Sequence, residues 1–169
     1  MRKLLNGLYD SAAALAALFL VGLLLMVLLS IVSRQLHFHV PGTDAYAGYL
    51  MAATGFLALA HTLKRGEHIR VTLLINALHG RWKKAMEVWS LGVAAVLAVL
   101  FALYSCKLAW QSHGFNDVST ASDATPLWIP QLAMALGTVI LAIAFVDELV
   151  LELRGQRQTA TPSEALRNE

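Results

Sequence analysis

Four stretches of this chain carry no Asp, Glu, Lys or Arg: residues 11–33, 45–63, 88–106 and 124–146, of 23, 19, 19 and 23 residues. All 13 basic and 11 acidic residues lie in the segments between and around them. A helix of a soluble core keeps one polar face and does not run 19 positions without a charge. Charged residues make up 14% of the chain, where a soluble domain carries roughly a quarter. The pattern predicts an all-α integral membrane protein with four transmembrane helices. It excludes a soluble enzyme, a disordered chain and a DNA-binding domain.

At 1.5 Å per residue, runs of this length reach about 28 to 34 Å, against a hydrocarbon core of about 30 Å. Each run therefore crosses once, the longer two with some tilt. Spanning strands would need segments of about ten alternating residues, and none of the runs alternates. Helices satisfy their own backbone groups in lipid, so they are the economical solution. The first run is longer than a signal-peptide core and leads into Ser33-Arg34-Gln35-Leu36-His37 without a small-x-small cleavage pattern. It is read as a retained first helix.

The basic residues fix the orientation. Arg2 and Lys3 precede the first run, six Lys and Arg lie in the loop 64–87, and Arg154, Arg157 and Arg167 follow the last. Only Arg34 and Lys107 fall on the other side. Both termini and the middle loop are accordingly predicted to be cytoplasmic. The basic balance belongs to this face and gives a nucleic-acid partner no separate support. Cys106 is the single cysteine. It cannot form an internal disulfide and is read as a small packing residue.

The membrane domain is expected over 1–150, with a polar tail over 151–169 expected to be disordered. Between the second and third runs, Val71, Leu74, Ile75, Leu78 and Trp82 fall on one helical stripe, opposite Arg70, Thr72, Asn76, His79, Arg81 and Lys83. That predicts an amphipathic segment over about 69–83, lying in the cytoplasmic interface or packed on a partner's cytoplasmic face, with Gly80 separating it from the third span. Trp82, Trp89 and Trp128 are the expected interface anchors. Before the fourth run, Thr125 is placed to cap a helix and Pro126 to open it. Small residues recur at Gly48-x-x-x-Ala52, Ala94-x-x-x-Ala98-x-x-x-Ala102 and Ala133-x-x-x-Gly137. They suit close helix packing, although alanine is also simply common in membrane helices.

No chemistry of its own is legible. An autonomous transporter needs ionisable groups near the midplane, where each costs roughly 2.5–3.5 kcal/mol and is held only by function. The four runs contain none, and no mid-run proline that would mark a broken helix. Of the six histidines, only His61 lies within a run, three residues from its cytoplasmic end. Haem ligation between helices, or a metal at His37-x-His39, is therefore poorly supported. A membrane chain without a site of its own is best explained as a subunit.

Three motifs carry a resemblance. Ser33-Arg34-Gln35-Leu36-His37-Phe38-His39-Val40-Pro41-Gly42-Thr43-Asp44, running on to Met51, resembles the first external loop of the small membrane subunit of TRAP (tripartite ATP-independent periplasmic) transporters, the DctQ-like family. Arg65-Gly66-Glu67-His68-Ile69-Arg70-Val71 is similar to that family's signature after the second helix. Thr125-Pro126-Leu127-Trp128-Ile129-Pro130-Gln131, followed by Met134 and Gly137, is similar to its approach to the fourth helix. The order and spacing of the three match over nearly all of residues 1–150.

The resemblance implies a subunit with no catalytic, substrate or metal site. It implies a large multi-span permease as heterodimer partner, which would hold the sodium and substrate sites. It also implies a periplasmic binding protein that delivers an organic acid, and a bacterial or archaeal cytoplasmic membrane. The only other partners expected are membrane lipids. Arg34, Asp44, His68, Arg70, Thr125, Pro126, Trp128, Pro130 and Gly137 become candidates for structural or subunit contacts. Many members carry a second acid where this chain has Ala45, so any acidic pair in that loop rests on Asp44 alone. The alternative from another class is the membrane anchor of a respiratory oxidoreductase. A self-sufficient exporter is opposed by the missing midplane charge.

Overall fold

The structure is a computed structural model that describes residues 2–38, 40–64, 81–121 and 123–155. Four α-helices account for nearly all of them: α1 (Arg2–Gln35), α2 (Thr43–Lys64), α3 (Arg81–Gly114) and α4 (Trp128–Leu153). The first three each contain one uncharged run and extend past it at both ends, while α4 begins inside its run, at Trp128, and extends past its far end; helix continues until the chain meets a breaking conformation. For α1 and α3 that conformation is a left-handed residue just beyond the helix, His37 and Asn116. α2 begins directly after Pro41-Gly42, with Gly42 at φ +82°. A side chain there would strain the backbone and also press on Asp123, whose Cβ lies 2.8 Å from the position of an added Cβ.

The helices stand in a row, α1–α2–α4–α3. α1 packs along α2, α2 along α4 and α4 along α3, while α1 barely meets α4 and no close backbone approach joins α1 or α2 to α3. α3 turns a stripe of small residues to its neighbour: Ala95, Ala98, Ala102, Ser105, Ala109 and Ser112 are all buried. Their alternating steps of three and four residues keep one face in contact along the whole helix. The stripe read from the sequence as starting at Ala94 starts instead at Ala95, while Ala98 and Ala102 belong to it as expected. Ala98 and Ala102 pack with Ala142 of α4. Tyr9, Ala60, Leu63, Leu141 and Ala144 make a second cluster where α1, α2 and α4 meet.

The tightest approach is at Gly137. A Cβ added there would lie 2.6 Å from the backbone carbonyl of Phe56, so α2 and α4 touch backbone to backbone. Gly48 and Ala52, by contrast, are exposed, and nothing lies within 4 Å of a Cβ at Gly48.

Three of the helices are long and apolar enough to cross a membrane: Leu4–Gln35, Trp82–Gly114 and Trp128–Leu153. The expected fourth, α2, is diluted by Tyr46, Tyr49, Thr54, His61 and Thr62. It lies between α1 and α4, and its threonine hydroxyls are satisfied within the helix itself. Thr54 and Thr62 donate to the carbonyls of Leu50 and Leu59, each at 2.9 Å.

Other expectations need correction. Arg81, Trp82 and Lys83, assigned to the end of the amphipathic segment, form the first turn of α3; residues 69–80 lie outside the described residues. The fourth helix starts at Trp128, and its N-cap position is Leu127, with no side-chain cap. Pro126 is held instead in an antiparallel bridge with Val118. At the other end α4 continues through Leu153, so residues 151–153 are helix, not tail. Cys106 is exposed on α3 and packs into no core.

Gly137→Ala should force α2 and α4 apart and lower stability by about 1–3 kcal/mol, as overpacking does. Gly48→Ala, where space is open, should be neutral or gain up to about 1 kcal/mol of helix propensity. Thermal unfolding of both variants in the same detergent compares them directly.

Candidate functional site

Polar contacts concentrate at the two ends of the row. At the loop end, the α1–α2 turn is closed by Arg34 Nη2 and Asp44 Oδ2, 3.3 Å apart, and Ser30 donates to the other Asp44 oxygen at 3.2 Å. Both charged side chains are largely exposed, and such a pair contributes about 0–1 kcal/mol. With His37, Phe38 and Ala121 they line an open cleft of about 460 Å³.

The α3–α4 connection folds over this turn. Ser119 N–H bonds the Thr125 carbonyl at 2.8 Å and Leu127 N–H bonds that of Asp117 at 2.9 Å, making a short hook. Asp123 at its tip accepts hydrogen bonds from Tyr49 of α2 at 3.2 Å and from Ser119 at 2.8 Å. A hydrogen bond of 3.0 Å joins the hydroxyls of Thr125 and Tyr46. The connection between α3 and α4 is thereby tied to α2, across the row. The Thr125 hydroxyl, with help from Ser119, the backbone and Tyr49, holds the Asp123 carboxyl below its ordinary range, against an opposing effect of desolvation.

At the opposite end, Tyr9 is 1% exposed and lies under Lys64, whose Nζ is 4.6 Å from the ring centroid. Lys64 also hydrogen-bonds Asn6 Oδ1. Asp147 and Glu148 of α4 line the same small cleft as Tyr9 and Lys64. His61 Nδ1 stands 3.7 Å from Asp10. The Tyr9 hydroxyl has no hydrogen-bond partner among the described residues. Its ring, not its oxygen, is what the site uses.

The sequence candidates divide accordingly. Arg34 and Asp44 meet across the α1–α2 turn, one from the last turn of α1 and one from the first turn of α2. Thr125 and Pro126 serve the hook, and Pro130 lies in the first turn of α4, where its missing N–H costs nothing. Trp128 is half-buried, with its ring edge-on to His113 at 5.2 Å. Trp82 and Trp89 are exposed on α3. Gly137 is the α2–α4 contact point. His68 and Arg70 lie outside the described residues. Asp123, Tyr46, Tyr49, Tyr9 and Lys64 were not among the candidates. Asp-Ala-Thr-Pro marks a turn, but nothing local says that its carboxylate reaches a tyrosine 74 positions away.

The family profile described as "Tripartite ATP-independent periplasmic transporters, DctQ component" matches residues 23–155. The chain belongs to the DctQ family. It is thus the small component of a TRAP transporter and a multi-pass membrane protein, from a family of transporter components rather than enzymes. The DctQ match takes in the loop-end clasp, the hook and the α2–α4 contact, and leaves out Tyr9 and Asp10. It gives no support to a respiratory anchor. No curated protein matches the chain significantly.

Two outcomes follow. Because the Asp123 carboxyl titrates lower in the folded chain than in the unfolded one, the stability it adds is complete above the ordinary carboxylate range. It is lost as pH falls through the depressed value. The stability difference between wild type and Asp123→Asn, measured by thermal unfolding from neutral to strongly acidic pH, should shrink over that interval. Tyr9→Phe should be as stable as wild type or more so, since it removes an unpaired buried hydroxyl. Tyr9→Ala should cost about 3–5 kcal/mol by opening a cavity.

Proposed function

We propose that this chain is the scaffold partner of a large permease in sodium-driven uptake of an organic acid, delivered by a periplasmic binding protein. The observation that carries the reading is the DctQ match over residues 23–155. In this reading all four helices cross the cytoplasmic membrane of a bacterium or archaeon. α2 crosses despite its lower hydropathy because α1 and α4 flank it and its polar groups are satisfied. Lys and Arg place both termini and the 64–87 segment inside, so the Arg34–Asp44 clasp and the hook face the periplasm and the Tyr9–Lys64 cluster faces the cytoplasm. Sodium and substrate bind the permease, and this chain holds no cofactor. Trp82, Trp89 and Trp128 stand at headgroup depth.

The hook and clasp give the periplasmic end a fixed shape. Such a surface is suited to receive a binding protein, since docking onto an ordered face avoids the entropy of ordering it.

The test is a pull-down of the chain, tagged at its C-terminus, from native membranes in mild detergent. Recovery of one large hydrophobic permease in equal amount is expected. A haem- or flavin-bearing partner, or the chain alone, would overturn the reading.

A further inference from the structure

The two helical hairpins repeat one another. A shift of 79 positions lays α1 on α3 end to end, Arg2 on Arg81 and Gln35 on Gly114. It carries the buried residues Ala12, Ala16 and Ser33 onto Leu91, Ala95 and Ser112, also buried. It carries the left-handed His37, φ 57°, onto Asn116, φ 54°. The bonds Leu36 N–H to Val32 O and Phe38 N–H to Ser33 O recur as Phe115 N–H to Gln111 O and Asp117 N–H to Ser112 O.

A shift of 84 does the same for the second helices. Buried Ala53, Leu57 and Ala60 fall on buried Gly137, Leu141 and Ala144. The Thr54 hydroxyl bond to Leu50 O falls on that of Thr138 to Met134 O. Even the closures correspond, since Arg34 and Asp44 fall on His113 and Trp128, the ring pair that joins α3 to α4. The hairpins meet through α2 and α4, which leaves α1 and α3 as equivalent outer edges.

Equivalent positions lie at one depth, so a chemical difference between the edges reflects what each one faces. Leu24 and Leu103 are such a pair, 57% and 62% exposed. α3 exposes Trp89 and Trp110, which its helical rise separates by about 32 Å. That matches a hydrocarbon core of about 30 Å, at whose two boundaries tryptophan collects. At the matching places α1 has Asp10 and Ile31, and it exposes no Trp or Tyr anywhere among its described side chains. Asp10, its side chain 74% exposed, puts a carboxylate where α3 has a boundary tryptophan. His61 of α2, 3.7 Å away, partners it on one side only. Lipid penalises a short carboxylate left exposed at that depth, which cannot reach out to the boundary as the long side chain of the exposed Lys107 on α3 can, whereas a cation on a neighbouring helix would pair with it.

We propose that the two edges of this repeat have different neighbours: the α3 edge faces bilayer lipid, and the α1 edge seats an aliphatic transmembrane helix of the other membrane component, with a basic side chain opposite Asp10. This rests on the subunit reading above. The matched pair supplies the test. Leu24 or Leu103 is replaced by the photoreactive residue benzoylphenylalanine in the whole transporter, which is irradiated in native membranes and recovered by the C-terminal tag. Position 24 is expected to give an adduct with the permease, and position 103 adducts with lipid alone. A permease adduct from 103, or lipid adducts alone from both while the permease is still recovered, overturns the assignment of edges. Lipid adducts alone with no permease recovered overturn the subunit reading as well. Asp10→Lys should lower permease recovery and Asp10→Glu should keep it; unchanged recovery with Asp10→Lys overturns the charged contact.

Discussion

The approach of α2 to α4 at Gly137 is the contact on which the rest of the architecture depends. Each of the other two helices is tied by a short connection or by polar end contacts to one member of this pair. Without a hydrophobic drive between helices in lipid, association relies on van der Waals contact, which weakens steeply with separation. Glycine brings the two backbones to the limit of contact, and Leu57, Ala60, Leu141 and Ala144 continue the seam toward the Tyr9 end. α1 then packs on α2, and α3 lays its alanine and serine stripe on α4.

The polar groups are arranged around this seam rather than within it. Mid-helix hydroxyls such as Thr54 and Thr138 bond back to their own helix and cost the bilayer nothing. The longer-range bonds, from Tyr46, Tyr49 and Asp123, lie at the loop end, where the hook of α3–α4 reaches over to α2. Lys64 and Tyr9 do the equivalent at the other end through a cation over a ring. The middle of the row is thus fixed by shape and its ends by directional bonds.

Much of this was legible in the sequence, and the boundary of legibility is physical. Charge-free runs announce helices because lipid leaves the chain no alternative, and Ala133-x-x-x-Gly137 did mark a close approach. Which partner Gly137 meets depends on the spatial order α1–α2–α4–α3, and no local pattern encodes that order. Thr125 and Pro126 have the chemistry of a helix start, yet their groups are engaged by Tyr46 and Val118, so a long-range contact displaced a local preference. The resemblance set Arg34 and Asp44 in one loop, ten residues apart, but that they pair with each other is seen only in the structure. Asp123 was not, because its tyrosine lies on another hairpin.

Among the described residues the row has two broad faces, and what is buried lies in the seams between neighbouring helices. Each helix meets at most two close neighbours, so among the described residues no lumen is enclosed between them. A solute moving beside such a wall would find, among the described residues, one side of a passage only. The geometry therefore suits a partition, a fixed surface against which something larger can move.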